Sequence, residues 1–347
     1  MSSNKILPPV YIDPPSITYY EDRLFDIKNT ILNRDDSLLP YYQIREAFQA
    51  LGSSVHTADV LPSEKIIGGC DYYSLGVLKN YKKLTERQDV RLRAFVIFEP
   101  PVVQPELYAA LPYLTEHFEK VYIHNINGDG YSLRNVDTYK LTKLYWPQPR
   151  LKVIDPYWNN SDRVKKIVVI NGNHIPTNFT NELYSKRIEV MAALASTGKI
   201  DLYGRGWGKW WSRASMWMPY WTNRRSLMSI YRGECKSKYA TLSKYCFSLC
   251  FENMKMQGYI TEKIFDCFYA GTIPIYLGAP DVSELIPKTA YIDCRQFHNW
   301  DLLLQYIENL SDYEIDFYKK SGRDFIQNNL NHKYSKSLWS IFNLNYE

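Results

Sequence analysis

Short apolar runs alternate with helical segments along this chain, and the alternation stops and restarts once. That rhythm limits the fold more than any other feature, because strand, helix and strand in succession build a parallel sheet with crossover helices. In the first half, residues 42–51 read as a helix and 54–60 as a strand. Residues 92–98 (LRAFVIF) read as a buried strand with a rigid exit at Glu99-Pro100-Pro101. Residues 106–118 follow as an amphipathic helix and 120–124 as a further strand. Around residues 147–162 the chain turns rich in Pro, Asn and Asp, the composition of a link. The rhythm then resumes, with strands expected at 166–170, 200–203, 245–251 and 273–277 and helices at 182–194 and 261–269.

The fold class expected is therefore α/β, as two Rossmann-like domains. At roughly 150 residues per domain, 347 residues suit two. The expected divisions are 1–162, 163–310, and a set of C-terminal helices over 311–347 that pack back across the domain boundary. Two such domains facing one another leave a ligand cleft at the carboxyl ends of their strands.

Composition narrows the class further. An apolar fraction of 45% and a charged fraction of 23% belong to a globular chain and exclude an extended disordered one. Thirty Tyr and nine Trp supply many rings able to stack on sugars or bases. Net charge +5 is mild and suits an anionic ligand better than a long nucleic-acid footprint. The prolines after Met1–Lys5 do not read as a signal peptide, and no run of about 18 apolar residues is present to cross a membrane. Six cysteines without a C-x-x-C pair read as reduced, buried thiols, so a cytoplasmic location is expected.

Two charges stand where a helix does not want them. Thr261 is a plausible N-cap, and Glu262 suits the first turn, but Lys263 puts a cation at the positive end of the helix dipole. A bound phosphate, held by free backbone N–H groups and the ammonium, would remove the misfit; a solvated helix start is the alternative. Gly271 then caps the helix and Pro274 introduces the next strand. Arg187 is the second misfit, on the apolar stripe Leu183, Arg187, Met191, Leu194. A buried arginine there needs a counter-charge, and a diphosphate between Arg187 and Lys263 would serve both. On this reading either cation can be removed at little cost to folding.

The run 245–280 closely resembles the signature of the α-1,3-fucosyltransferases, family 10 of the glycosyltransferases. The matching residues are Phe251-Glu252-Asn253, Tyr259, Thr261-Glu262-Lys263 and Ala270-Gly271-Thr272-Ile273-Pro274-Ile275-Tyr276. Upstream, Ser185-Lys186-Arg187 and Phe98-Glu99-Pro100 resemble the family's donor-phosphate arginine and catalytic glutamate. The resemblance implies a GT-B fold, with the acceptor on the N-terminal domain and the donor held mainly by the C-terminal one. It implies GDP-fucose as donor and inversion at the anomeric carbon, with no metal or other cofactor required. It assigns Arg187 and Lys263 to the diphosphate, Tyr259 and Glu262 to the ribose or sugar, Asn253 to the shape of the loop, and Glu99 to the general base. Glu252 and His124 are the competing bases. The chain departs from the family in lacking the anchor and cysteine pairs of its animal members, as a bacterial-type enzyme would.

A stretch at 205–232 carries five of the nine tryptophans and six Arg or Lys with no acidic residue. It reads either as a packed variable loop or as acceptor recognition through Trp210 and Trp217. Contact with an anionic membrane face, where a lipid-linked glycan would reside, is a third reading. Rival readings are transfer of another GDP-sugar, nucleic-acid binding, and glycan binding without turnover.

Overall fold

The computed structural model describes residues 7–328 and 332–344, so the N-terminal Met1–Lys5 lies outside the described residues. Two compact units result. One comprises 1–149 with 333–347, the other 150–332.

The first unit holds a six-stranded parallel sheet in the order β2-β1-β3-β4-β5-β6. Its strands are β1 (Val10–Asp13), β2 (Val55–Thr57), β3 (Cys70–Ser74), β4 (Val90–Val96), β5 (Lys120–Ile123) and β6 (Leu141–Lys143). Alternation along β3 sends Tyr73 to one core and Tyr72 to the other. The pairing of β3 with β4 shifts by one residue between Tyr72 and Tyr73, leaving Arg93 as the extra residue of a bulge. That shift keeps Leu92 on the same face as Phe95 and Ile97. The C-terminal helix Ser337–Ile341 closes the opposite core, where Phe342 packs 4.4 Å from the ring of Tyr73.

Three expectations change here. The strand at 54–60 is shorter, because Ala58–Val60 turns into a 3-10 helix. The helix at 106–118 is two helices, Pro105–Ala109 and Leu111–His117. Pro112 lacks the N–H and ring clearance needed to continue the first, so it opens the second. The second unit starts at Arg150 rather than at 163. Trp158 is buried there, and the Arg163 guanidinium donates to the carbonyls of Tyr157, Trp158, Asn160, Tyr245 and Ala270, which ties the expected link into this unit.

The second unit holds a five-stranded parallel sheet in the order β11-β10-β9-β7-β8. Its strands are β7 (Val164–Ile170), β8 (Ile200–Tyr203), β9 (Tyr245–Phe251), β10 (Ile273–Leu277) and β11 (Ile292–Asp293). Every residue of β9 is buried, as a central strand covered on both faces requires. Helices Tyr184–Leu194, Met218–Ile230 and Trp300–Asn309 contribute to one continuous core with β7, β8, β9 and β10. Gly271 ends the helix Glu262–Ala270 in the left-handed region, at φ 72°. A Cβ there would meet Trp158 and Arg163 at 3.0 Å, so the cap and the packing both require glycine. Among the described residues no helix is long and apolar enough to cross a membrane.

Candidate functional site

In the second unit the chain leaves β7 toward β8 on one side and later returns to β9 on the other. The carboxyl ends of β7 and β9 therefore form the topological switch point, where parallel α/β sheets bind ligands. Asn171–His174 follow β7, and Glu252 and Asn253 follow β9. Beside them β8 leaves through Gly204, whose φ is 145°. A Cβ at Gly204 would lie 1.8 Å from the carbonyl oxygen of Asn171, so only glycine lets the two exits approach so closely.

Arg187 reaches the switch point from the helix Tyr184–Leu194 and is 3% exposed. Its Nη2 donates to the carbonyls of Phe251 and Glu252 at 2.8 and 3.0 Å, and its guanidinium lies 5.2 Å from the ring centre of Tyr184. Its Nε is buried and has no partner among the described residues. Burial depresses its basicity, while Tyr184, Glu252 and Tyr259 act to restore it. Sequence patterning expected a buried arginine seeking an anion, and the described partners satisfy it only in part.

Glu252 is fully buried and organises the loop. Its Oε1 accepts the backbone N–H of Thr261 at 2.9 Å, and its Oε2 accepts from the Thr261 hydroxyl at 2.8 Å and from Lys263 Nζ at 3.2 Å. Thr261 occupies the N-cap position but makes no side-chain cap bond of its own; the carboxylate of Glu252 bonds its N–H instead. Lys263 also donates to Thr261 Oγ1 at 3.0 Å and lies 3.9 Å from Glu262. The expectation that Lys263 is poorly placed for stability is thus corrected, because it is the counter-ion of a carboxylate with no exposed surface.

Lys238 completes the charge set, 2.9 Å from Asp266 and 3.7 Å from Glu262. Burial opposes ionisation of Glu262, but Lys263 and Lys238 outweigh it and hold the carboxyl well below its usual range. A cavity of about 70 Å³ is lined by Asn171, Lys238, Ser248, Cys250, Glu262 and Lys263 among others. Asn253 donates weakly to the Tyr259 hydroxyl at 3.4 Å, and its carbonyl accepts from the Leu183 N–H. Tyr259 is buried, with its backbone carbonyl toward the Tyr276 hydroxyl. The structure accordingly brings Arg187, Asn253, Tyr259, Glu262 and Lys263 together around the exit of β9.

Two residues at this switch point escaped the sequence reading. Lys238 begins the helix Lys238–Leu242, a cation in a first turn, which is the same misfit that marked Lys263. Asn173 is 7% exposed, and both polar atoms of its amide are buried without a partner among the described residues.

Glu99 lies in the first unit just beyond β4, partly exposed, with its backbone carbonyl accepting the Tyr108 hydroxyl at 3.0 Å. His124, just beyond β5, is fully buried, stacks on Trp146 and has Nε2 2.9 Å from the Phe98 carbonyl. Burial pushes its pKa down to about 4, so its imidazole is neutral near pH 7. Trp210 is exposed, whereas Trp217 is half-buried against the core of the second unit. Among the described residues, no group of three or more His, Cys, Asp or Glu is arranged to hold a metal ion.

Residues 166–321, all in the second unit, match the family model for "Glycosyltransferase family 10 (fucosyltransferase) C-term". Over 79 residues the chain is 40% identical to the α-(1,3)-fucosyltransferase FucT of Helicobacter pylori, covering 23% of this chain and 16% of that protein. Over 79 residues it is 35% identical to an α-(1,4)-fucosyltransferase of Arabidopsis thaliana, covering 23% and 20%. The matched stretches thus span a fifth or less of these relatives' length. A solved α1,3-fucosyltransferase aligns over 100% of this chain and 93% of that one, with a TM-score of 0.55 at 16% identity, a likeness of fold. Together with the two parallel-sheet units, that likeness makes the architecture GT-B in type. Over residues 166–321 the chain is thus similar to the C-terminal domain of the family 10 glycosyltransferases, the fucosyltransferases.

Proposed function

We propose that this chain transfers L-fucose from GDP-fucose to a hydroxyl of a glycan acceptor, with inversion and an α-1,3 linkage to a GlcNAc-type sugar. The observation that carries the reading is the cluster at the β7/β9 switch point inside the stretch that matches the family 10 model. There the partly satisfied guanidinium of Arg187 and the ammonium of Lys263 flank a helix N-terminus. A departing nucleoside diphosphate gathers negative charge in the transition state, and fixed cations beside a helix N-terminus stabilise it. Glu252 holds Lys263 in place through the 3.2 Å contact, so little reorganisation is needed when the phosphates arrive. Glu262, kept ionised by Lys263 and Lys238, accepts hydrogen bonds from ribose or sugar hydroxyls. Tyr259 and Asn253 shape the loop around them. Glu99 removes the acceptor's proton as general base.

In this reading the two cations neutralise the diphosphate, so turnover persists in a chelator. The direct test is incubation with GDP-fucose and GlcNAc-containing acceptors, followed by NMR of the product's anomeric centre and linkage. An α-1,3 fucoside is expected. Transfer from GDP-mannose without transfer from GDP-fucose would move the reading to another GDP-sugar, and turnover of UDP-sugars alone would overturn the donor class.

A further inference from the structure

The segment 205–232 divides into two sets of side chains. Trp207 and Tyr220 are at most 2% exposed, and the Trp207 indole donates to the Asn171 carbonyl at 2.7 Å, so this set is core. The other set faces solvent. Trp210, Trp211 and Trp221 are 68, 85 and 64% exposed, with Met216 and Met218 beside them in sequence at 62 and 74%. Exposed large apolar residues elsewhere in the chain are mostly scattered singly, which is ordinary for a protein surface. Here five fall within twelve residues.

The helix Met218–Ile230 departs from the usual arrangement at its start. Tyr220, Leu227 and Ile230 face the core, as its spacing requires. Its outer face should then be polar, yet it begins with Met218 and Trp221 before reaching Arg225. The segment's own charge is of one sign. No acidic residue occurs in 205–232, and Arg205 and Arg232 are paired with Glu234 and Asp201 outside it. No ion pair among the described residues engages Lys209, Arg213, Arg224 or Arg225. The Arg224 guanidinium lies 3.8 Å from the ring centre of Trp210, which holds that indole outward.

We propose that this face docks on an anionic lipid surface. Indoles and thioethers enter the headgroup boundary, where an amphipathic ring is favoured, and the unpaired basic side chains meet the lipid charge. Charge complementarity and exposed indoles together select a lipid surface over a neutral partner. The inference does not rest on the transferase reading, because none of these residues lies in the cluster around Lys263.

The test is co-sedimentation of the full chain with vesicles of phosphatidylcholine, with and without phosphatidylglycerol. Binding is expected only with phosphatidylglycerol and should weaken as salt rises. The double variant Arg213→Gln/Arg225→Gln should lower partitioning about fivefold for each charge removed. Trp211→Ser/Trp221→Ser should lower it further, while stabilisation by GDP stays as in the parent chain. Should either variant misfold, quenching of the parent chain's tryptophan emission by brominated phosphatidylglycerol decides instead, and unquenched emission overturns the proposal. Equal binding to both vesicle types would also overturn it. So would tighter binding to a single-stranded oligonucleotide than to the anionic vesicles.

Discussion

The first unit's sheet runs β2-β1-β3-β4-β5-β6 and the second's runs β8-β7-β9-β10-β11, so both reverse direction beside their first strand. At the reversal in the first unit stands Asp13, the last residue of β1, with no exposed surface. Its carboxyl accepts from the Tyr72 hydroxyl at 2.6 Å and from Asn80 Nδ2 at 3.0 and 3.2 Å. Burial raises its pKa, and those hydrogen bonds only partly offset the effect. The equivalent position in the second unit leaves Arg187 Nε and the whole Asn173 amide without partners among the described residues. One topology thus carries a closed polar set and an open one. A closed set holds a sheet together, whereas an open set of buried donors is costly unless something else satisfies it. The two switch points teach that strand order marks where a ligand can bind, and the state of the polar groups tells whether one is expected.

The largest effect expected comes from the unit whose switch point is closed. If Glu99, beyond β4, is the general base, Glu99→Gln should slow transfer by about 10²- to 10⁴-fold while leaving GDP affinity nearly unchanged. Near-normal turnover would exclude Glu99 as the base and direct attention to Glu252 and His124.

A pair of substitutions sharpens the contrast between the switch points. Lys263→Ala leaves the buried Glu252 carboxylate with Thr261 alone and should destabilise the second unit by about 3 kcal/mol. It should also weaken GDP binding by about 1.5 to 3 kcal/mol, the worth of a lost charge-assisted hydrogen bond. Asp13→Asn should alter thermal stability without changing GDP affinity, as titration calorimetry and thermal unfolding will measure. A loss of GDP affinity in Asp13→Asn would break the distinction between the closed and open sets.

A smaller effect is expected with pH. The folded pKa of His124 is about 4, below its usual value of 6.5, so the unfolded chain binds the proton more tightly. Its contribution is present in full above about pH 6.5 and is lost as pH falls toward about 4, by about 3 kcal/mol at most. Denaturant unfolding across that range, compared with His124→Phe, isolates this contribution: the variant's stability should fall less steeply.

Much of the second unit was legible because its strands are apolar runs bounded by turn residues. The strand Ile200–Tyr203 has the bounds expected of it, and β9 and β10 likewise, since a central buried strand carries its burial in its composition. Lys263 and Arg187 were visible as charges at odds with helix dipole and helix face. The Glu252–Lys263 contact was not, because it joins residues eleven apart across a loop whose path no local rule fixes. In the first unit β1, β3 and β6 were missed. β6 has only three residues, and β3 (CDYYS) spends its pattern on tyrosines whose hydroxyls mask their burial. The helix Met218–Ile230 was missed for the opposite reason, as its exposed indoles blur the apolar stripe that identifies a helix.

The central claim, that the open switch point of the second unit holds a guanosine diphosphate, is tested most directly by calorimetric titration of GDP and UDP into the parent chain and into Arg187→Ala. GDP should bind the parent chain, at 100 times its dissociation constant adding about 2.7 kcal/mol to its stability, and UDP should bind far more weakly. Arg187→Ala should reduce GDP affinity by about tenfold or more. UDP binding more tightly than GDP, or Arg187→Ala binding GDP as the parent does, would contradict the account.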